Sequence, residues 1–142
     1  MKLSILITLL NEELVLAQTH KAISEKLESM ILSEELSDYE ILYVDDGSSD
    51  STLKLIDAIA DENPRVKYIS FSRNFGRESG ILAGFKYATG DAVMVMDGDL
   101  QHPPYLIPLF VNAFKEGYDI VSGQRTREGE SFIGSFFARC FY

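Results

Sequence analysis

Asp97 and Asp99 stand one residue apart where an apolar run ends, in "VMVMDGDLQHPP" (93–104). Two carboxylates that close repel, and in a cleft one of them would have to take up a proton unless a cation neutralises the pair. Hard oxygen ligands select Mg²⁺ or Mn²⁺, ions that usually bind through one or two carboxylates together with substrate phosphates. Gly98 between them would let the backbone come close to a ligand. An isolated D-x-D also fits a solvated turn. Here an apolar strand leads in and "LQHPP" leads out to a helix, which favours a site. His102 is a candidate third ligand, although a loop histidine bonded to backbone is the plainer reading.

Three other stretches carry polar side chains that could act with this pair. "NEE" (11–13) and "DDGSSD" (45–50) are acidic, and "SRNFGRESG" (72–80) is basic and glycine-containing. An Asx-type turn with Ser48, Ser49 or Asp50 capping the next helix, Ser49 and Asp50 being favoured, accounts for the end of "DDGSSD". It leaves Asp45 and Asp46 at the end of an apolar strand, where a carboxylate can hold a ribose or a base. The basic segment suits a ligand that carries phosphate.

The elements that must position these residues are legible as an alternation. Apolar runs of strand length occur at 2–10, 39–46, 65–72, 91–97 and 118–125. Between the first two, Leu16, His20, Ile23, Leu27 and Met30 recur at the spacing of an amphipathic helix. His20 on that stripe reads as a satisfied core or boundary histidine. Residues 51–63 repeat the helical pattern with Leu53, Ile56, Ile59 and Ala60 until Pro64 stops it. A third helix is expected over 77–89, closed by Gly90, and a fourth over 104–116, opened by prolines and closed by Gly117. Strand and helix in turn imply an α/β fold, a mostly parallel sheet with helices on both faces. In such a sheet ligands bind beyond the carboxyl ends of the strands, where the strand order reverses. With the order 3-2-1-4, the acidic ends of strands one, two and four converge.

The 142 residues, 46% apolar and 25% charged, are enough for one domain with a real core. A formal net charge of −9 argues against nucleic acid as a partner and against a charge-driven membrane contact. The single Cys140 forms no internal disulfide, which suits a reducing compartment. The start, "MKLSILITLLNEE", reads as a strand rather than a signal peptide, because acids follow at once. No apolar run reaches the roughly 18 residues of a membrane span. The aromatic "SFIGSFFARCFY" at the end is expected to be an amphipathic helix for a membrane surface or a partner element.

Taken in order, "ITLLNEE", "YEILYVDDGSSDST", "FSRNFGRESGILAGFKYATGDAVMVMDGDLQHPPYLIPLF" and "GYDIVSGQRTREGES" resemble the family 2 glycosyltransferases of GT-A fold. Within that family they are most similar to the polyprenyl-phosphate sugar transferases, of the dolichol-phosphate mannose synthase and bactoprenol glucosyltransferase type. The resemblance covers nearly the whole chain. It implies a Rossmann-like three-layer sandwich and a nucleotide-sugar-binding catalytic domain over 1–142. The N-terminal part of a longer enzyme is expected, whose transmembrane helices lie in a further C-terminal region.

Carried over by position, the resemblance implies that Glu12, Val44 and Asp46 hold the nucleoside. Asp97 and Gly98 would lie toward the nucleotide sugar, and Asp99 and Gln101 on Mg²⁺ or Mn²⁺. Arg125 would face the diphosphate or the acceptor phosphate. There are departures. Thr8, Leu9 and Leu10 stand where relatives usually carry proline, a small apolar residue and tyrosine, and Gly98 replaces an alanine. Gly134 and Ser135 replace a basic pair, with Arg139 nearby.

The implied reaction is metal-assisted transfer of a hexose from a UDP- or GDP-linked donor to a polyprenyl phosphate, with inversion at the anomeric carbon. The implied place is the cytoplasmic face of a membrane, reached through the C-terminal region, with this part soluble and a homo-oligomer allowed. The alternatives are a non-catalytic nucleotide-sugar-binding fragment and a soluble family 2 transferase acting on a saccharide. A phosphoacceptor domain would need its acidic pair after strand one and its acceptor aspartate after strand three, whereas here they follow strands two and four, and a D-x-D phosphatase would need its motif after strand one, where this chain has Asn11.

Overall fold

The computed structural model describes residues 1–99 and 103–123. Strands β1 (Lys2–Leu9), β2 (Asp38–Asp45), β3 (Val66–Ser70) and β4 (Ala92–Asp97) alternate with helices α1 (Leu16–Leu32), α2 (Thr52–Glu62) and α3 (Arg77–Tyr87). These form one compact unit that ends at Pro104, and a second begins at Tyr105. All four strands are parallel, as the alternation predicts, and their order is β3-β2-β1-β4, the order that lets the acidic ends converge.

β1 is central and buried on both faces, which is why its apolar run is continuous rather than alternating. Its even-numbered side chains face α3. Leu6 packs with Leu42 and Val44, and Ile69, Ile81, Val93 and Val95 close over them. Gly80 and Gly84 allow α3 to lie this close, since a side chain at Gly84 would collide with Leu6. On the other face α1 buries Leu16, Thr19, Ile23, Leu27 and Met30. Thr19 therefore takes the place on the stripe expected for His20. His20 is half-buried beside it, its Nδ1 3.0 Å from the Tyr43 hydroxyl and its Nε2 3.3 Å from Ser24 Oγ. Burial pushes the His20 imidazole below its ordinary range. α2 lies on the same face, where Tyr68 donates to Asp57 at 2.8 Å.

At the amino end of the sheet Glu40 is almost wholly buried. It accepts from Ser4 Oγ at 2.6 Å, from the Thr89 backbone N–H at 2.6 Å and from Lys67 Nζ at 2.9 Å, with Lys2 Nζ at 3.8 Å. Burial alone would raise this carboxyl, but the bonds from Ser4, Lys67 and Thr89 outweigh it and hold the group at about 2.

In the second unit α4 (Ile107–Lys115) has Pro108 in its first turn and buries Ile107, Val111 and Ala113. A single 3-10 turn, Pro104–Leu106, precedes it where the α-helix was expected to begin. The fifth expected strand is not one over its described part. Residues 118–123 have no regular structure, and Ile120 is exposed. Among the described residues no helix is long and apolar enough to cross a membrane.

Candidate functional site

The carboxyl ends of β1, β2 and β4 and the start of α3 enclose a cleft of about 290 Å³. In register, Thr8 of β1 lies opposite Asp97, and Leu9 lies opposite Asp45. Parallel pairing with this register delivers the three acidic ends to one level.

The first two loops are stitched together. Asn11, at φ 55, donates its N–H to Ser48 Oγ at 2.9 Å, and its Oδ1 accepts the Ser49 N–H at 2.8 Å. Glu13 Oε2 accepts the Ser51 N–H at 2.8 Å, while the Glu12 N–H donates to Thr52 Oγ1 at 2.8 Å. Asp50, one residue before the N-cap Ser51, makes the Asx-type turn, accepting from the Thr52 N–H at 2.9 Å, while the N-cap itself makes no side-chain capping bond. Ser49 does not cap; it donates to Asn11 instead. Asn11 and Glu13 are thus structural, and Glu12 is the residue of "NEE" that lines the cleft. Burial, then the charges of Asp99 and Asp50, push its carboxyl above the ordinary range.

Asp46 also lines the cleft, but its carboxylate does local work. It accepts the backbone N–H of Phe75 at 2.7 Å and of Gly76 at 3.0 Å. Gly47, at φ 74, lets the Arg73 backbone pack so close that any side chain there would collide with it. These contacts fold residues 73–76 back over the end of β2, so α3 starts at the cleft rather than beyond the sheet edge. Arg77, its first residue, forms an ion pair with Asp97. Arg77 and Asn74 are site residues that the sequence shows only as members of a basic segment. Their signal is the "NFGR" spacing after β3, and what brings them in is the tertiary grip of Asp46.

The structure brings Glu12, Asp46, Asp97, Gly98 and Asp99 together. It does not bring in the side chain of Val44, which is fully buried beneath Gly80 in the α3 face of the core. Gly98 differs in its reason. A side chain there would strike Leu9, so the glycine answers to packing, and its carbonyl accepts from Thr19 Oγ1 at 2.7 Å. Gln101, His102 and Arg125, with Gly134, Ser135, Arg139 and Cys140, lie outside the described residues.

Among the described residues no three His, Cys, Asp or Glu side chains are grouped to hold a metal ion alone. The donor set still fits a hard divalent cation completed by phosphate oxygens, which needs only one or two carboxylates. The pressure of Asp99 on Glu12 is a negative field that such a cation would relieve.

A mannosyltransferase from Pyrobaculum calidifontis, solved with GDP-Man and Mn²⁺, superposes with a TM-score of 0.64 at 19% identity, over 84% of this chain and 33% of that one. The likeness carries the fold, which is GT-A. The chain is 45% identical over 140 residues to CsbB of Bacillus subtilis (strain 168), covering 99% of itself and 41% of the relative. It is 38% identical over 128 residues to the prophage bactoprenol glucosyl transferase homolog of Escherichia coli (strain K12), covering 89% of itself and 40% of the relative. It spans about two fifths of the length of these curated relatives. The model of glycosyl transferase family 2 matches residues 4–137, nearly the full length, and the chain belongs to that family.

Proposed function

We propose that the chain is the donor-binding part of a glycosyltransferase that moves a hexose from a UDP- or GDP-linked sugar to a polyprenyl phosphate. The observation that carries this reading is the meeting of Glu12, Asp46, Asp97 and Asp99 with Arg77 at the switch point of the sheet. Glu12 and Asp46 face the nucleoside, the latter also fixing the loop that presents Arg77. Asp97 orients the donor, and Asp99 with Gln101 holds Mg²⁺ or Mn²⁺. The cation, when bound, neutralises charge on the departing diphosphate. Arg77 is placed to exchange Asp97 for a diphosphate oxygen, and Arg125 is assigned by the family pattern to the diphosphate or acceptor phosphate.

An acceptor phosphate oxygen bonds to the anomeric carbon as the bond from that carbon to the diphosphate breaks and the diphosphate takes the electron pair. The acceptor is already ionised near neutral pH, so no strong base is required. The name of the Escherichia coli relative supports a polyprenyl acceptor. With a lipid acceptor, the full-length protein works at the cytoplasmic face of a membrane.

The test is incubation of the full-length protein with labelled UDP- and GDP-hexoses, Mn²⁺ and undecaprenyl phosphate. Label in a lipid-linked monosaccharide is the expected product. Label only in a soluble saccharide would replace the acceptor, and no transfer from any donor would leave a binding module.

A further inference from the structure

We propose that Thr19 is a positioning residue for the cleft, holding the Asp97-Gly98-Asp99 turn in the geometry that binds a metal-nucleotide complex. The inference rests on the metal and nucleotide reading given above. Thr19 is wholly buried on an otherwise apolar stripe, a place where a hydroxyl costs stability unless it is bonded. A helical threonine commonly turns its hydroxyl back to the carbonyl four residues earlier. Here the Val15 carbonyl accepts the Thr19 backbone N–H at 2.9 Å, and the hydroxyl crosses to Gly98, 79 residues away in sequence, at 2.7 Å.

Its partner is a peptide just past the strand ladder. The β1–β4 ladder ends with Thr8 opposite Asp97, so the Gly98 carbonyl lies beyond the last strand pair. Glycine is also the residue with the widest choice of backbone angles, and without a fixed carbonyl this peptide can rotate, taking Asp99 with it. Leu9 supports the turn beneath the Gly98 Cα, and Thr19 supplies its lateral anchor. α1 is tied at its start to the opposite wall, because the Glu12 carbonyl accepts the N–H groups of Val15 and Leu16 at 3.1 and 3.0 Å. One helix therefore sets the span between Glu12 on the nucleoside side and Asp99 on the metal side.

The experiment is electron paramagnetic titration of Mn²⁺ into the full chain, with UDP and with GDP present, for the parent, Thr19→Val and Thr19→Ser. Outer partners of a metal site typically change affinity about tenfold to a hundredfold, so Thr19→Val is expected to weaken Mn²⁺ uptake by about tenfold or more. Thr19→Ser, which keeps the hydroxyl, is expected to restore uptake, and nucleotide affinity without metal is expected to stay the same in all three. Should the Thr19→Val chain not fold, Thr19→Ala against Thr19→Ser makes the same comparison. Equal uptake by the parent and a folded Thr19→Val chain would overturn the inference, as would a serine variant as weak as the valine one. No uptake by the parent with either nucleotide would overturn the metal reading itself, and this inference with it.

Discussion

Asp99→Asn is expected to lower sugar transfer by the full-length enzyme at least about a hundredfold, the scale of removing a group that stabilises developing charge. Asp99 is exposed, lies two residues past the last paired residue of β4 and is outside the core, so the thermal midpoint should change little. The substitution conserves shape and removes one negative charge. Its effect then falls on the cation and on Glu12, whose carboxyl Asp99 helps to raise. Titration of Glu12 by NMR should show its carboxyl shifted down toward the ordinary range in the variant. A rate close to that of the parent with Mn²⁺ present would remove Asp99 from the metal site. Asp97→Asn is a different experiment, because it also releases Arg77.

The largest expected effect on stability lies at the other end of the sheet. At about 1.4 kcal/mol for each pH unit, a Glu40 carboxyl held at about 2 instead of 4.5 stabilises the fold by roughly 3 kcal/mol. Because the folded value is the lower one, this contribution is complete above 4.5 and is lost as the pH falls from there to about 2. Glu40→Gln should therefore unfold at lower denaturant concentration than the parent at pH 7, and the two should converge as the pH approaches about 2. A gap of equal size at both ends of that range would mean that the bonds from Ser4, Lys67 and Thr89 do not favour the charged form. The change is far from the cleft, so nucleotide binding at pH 7 by the folded variant should be unaffected.

What the sequence makes legible follows from how local the cause is. Continuous apolar runs at β1 and β2 announce strands buried on both faces, and helical stripes between them require parallel crossovers. Together they place the ends of β1, β2 and β4 side by side. The fifth run has the same local pattern, but a strand exists only when a neighbour pairs with it, and pairing is not written in eight residues. The α1 stripe is clear, yet a rotation of one residue, roughly 100°, decides between Thr19 and His20, and both are compatible with the period. Val44 shows the limit of position along a strand. It shares a register row with Thr8 and Asp97, but Gly80 lies over it, so only knowledge of where α3 crosses separates it from the cleft. Arg77 shows the converse. Nothing near it in sequence points it at Asp97; the two bonds from Phe75 and Gly76 to Asp46 do.

Calorimetric titration of UDP- and GDP-hexoses into the chain, with Mn²⁺, with Mg²⁺ and with chelator, tests most directly whether Asp97 and Asp99 form a metal-diphosphate clamp. One donor class is expected to bind with metal, and binding is expected to weaken at least about tenfold with chelator or in Asp99→Asn. Donor binding of equal strength with metal, with chelator and in the variant would contradict it.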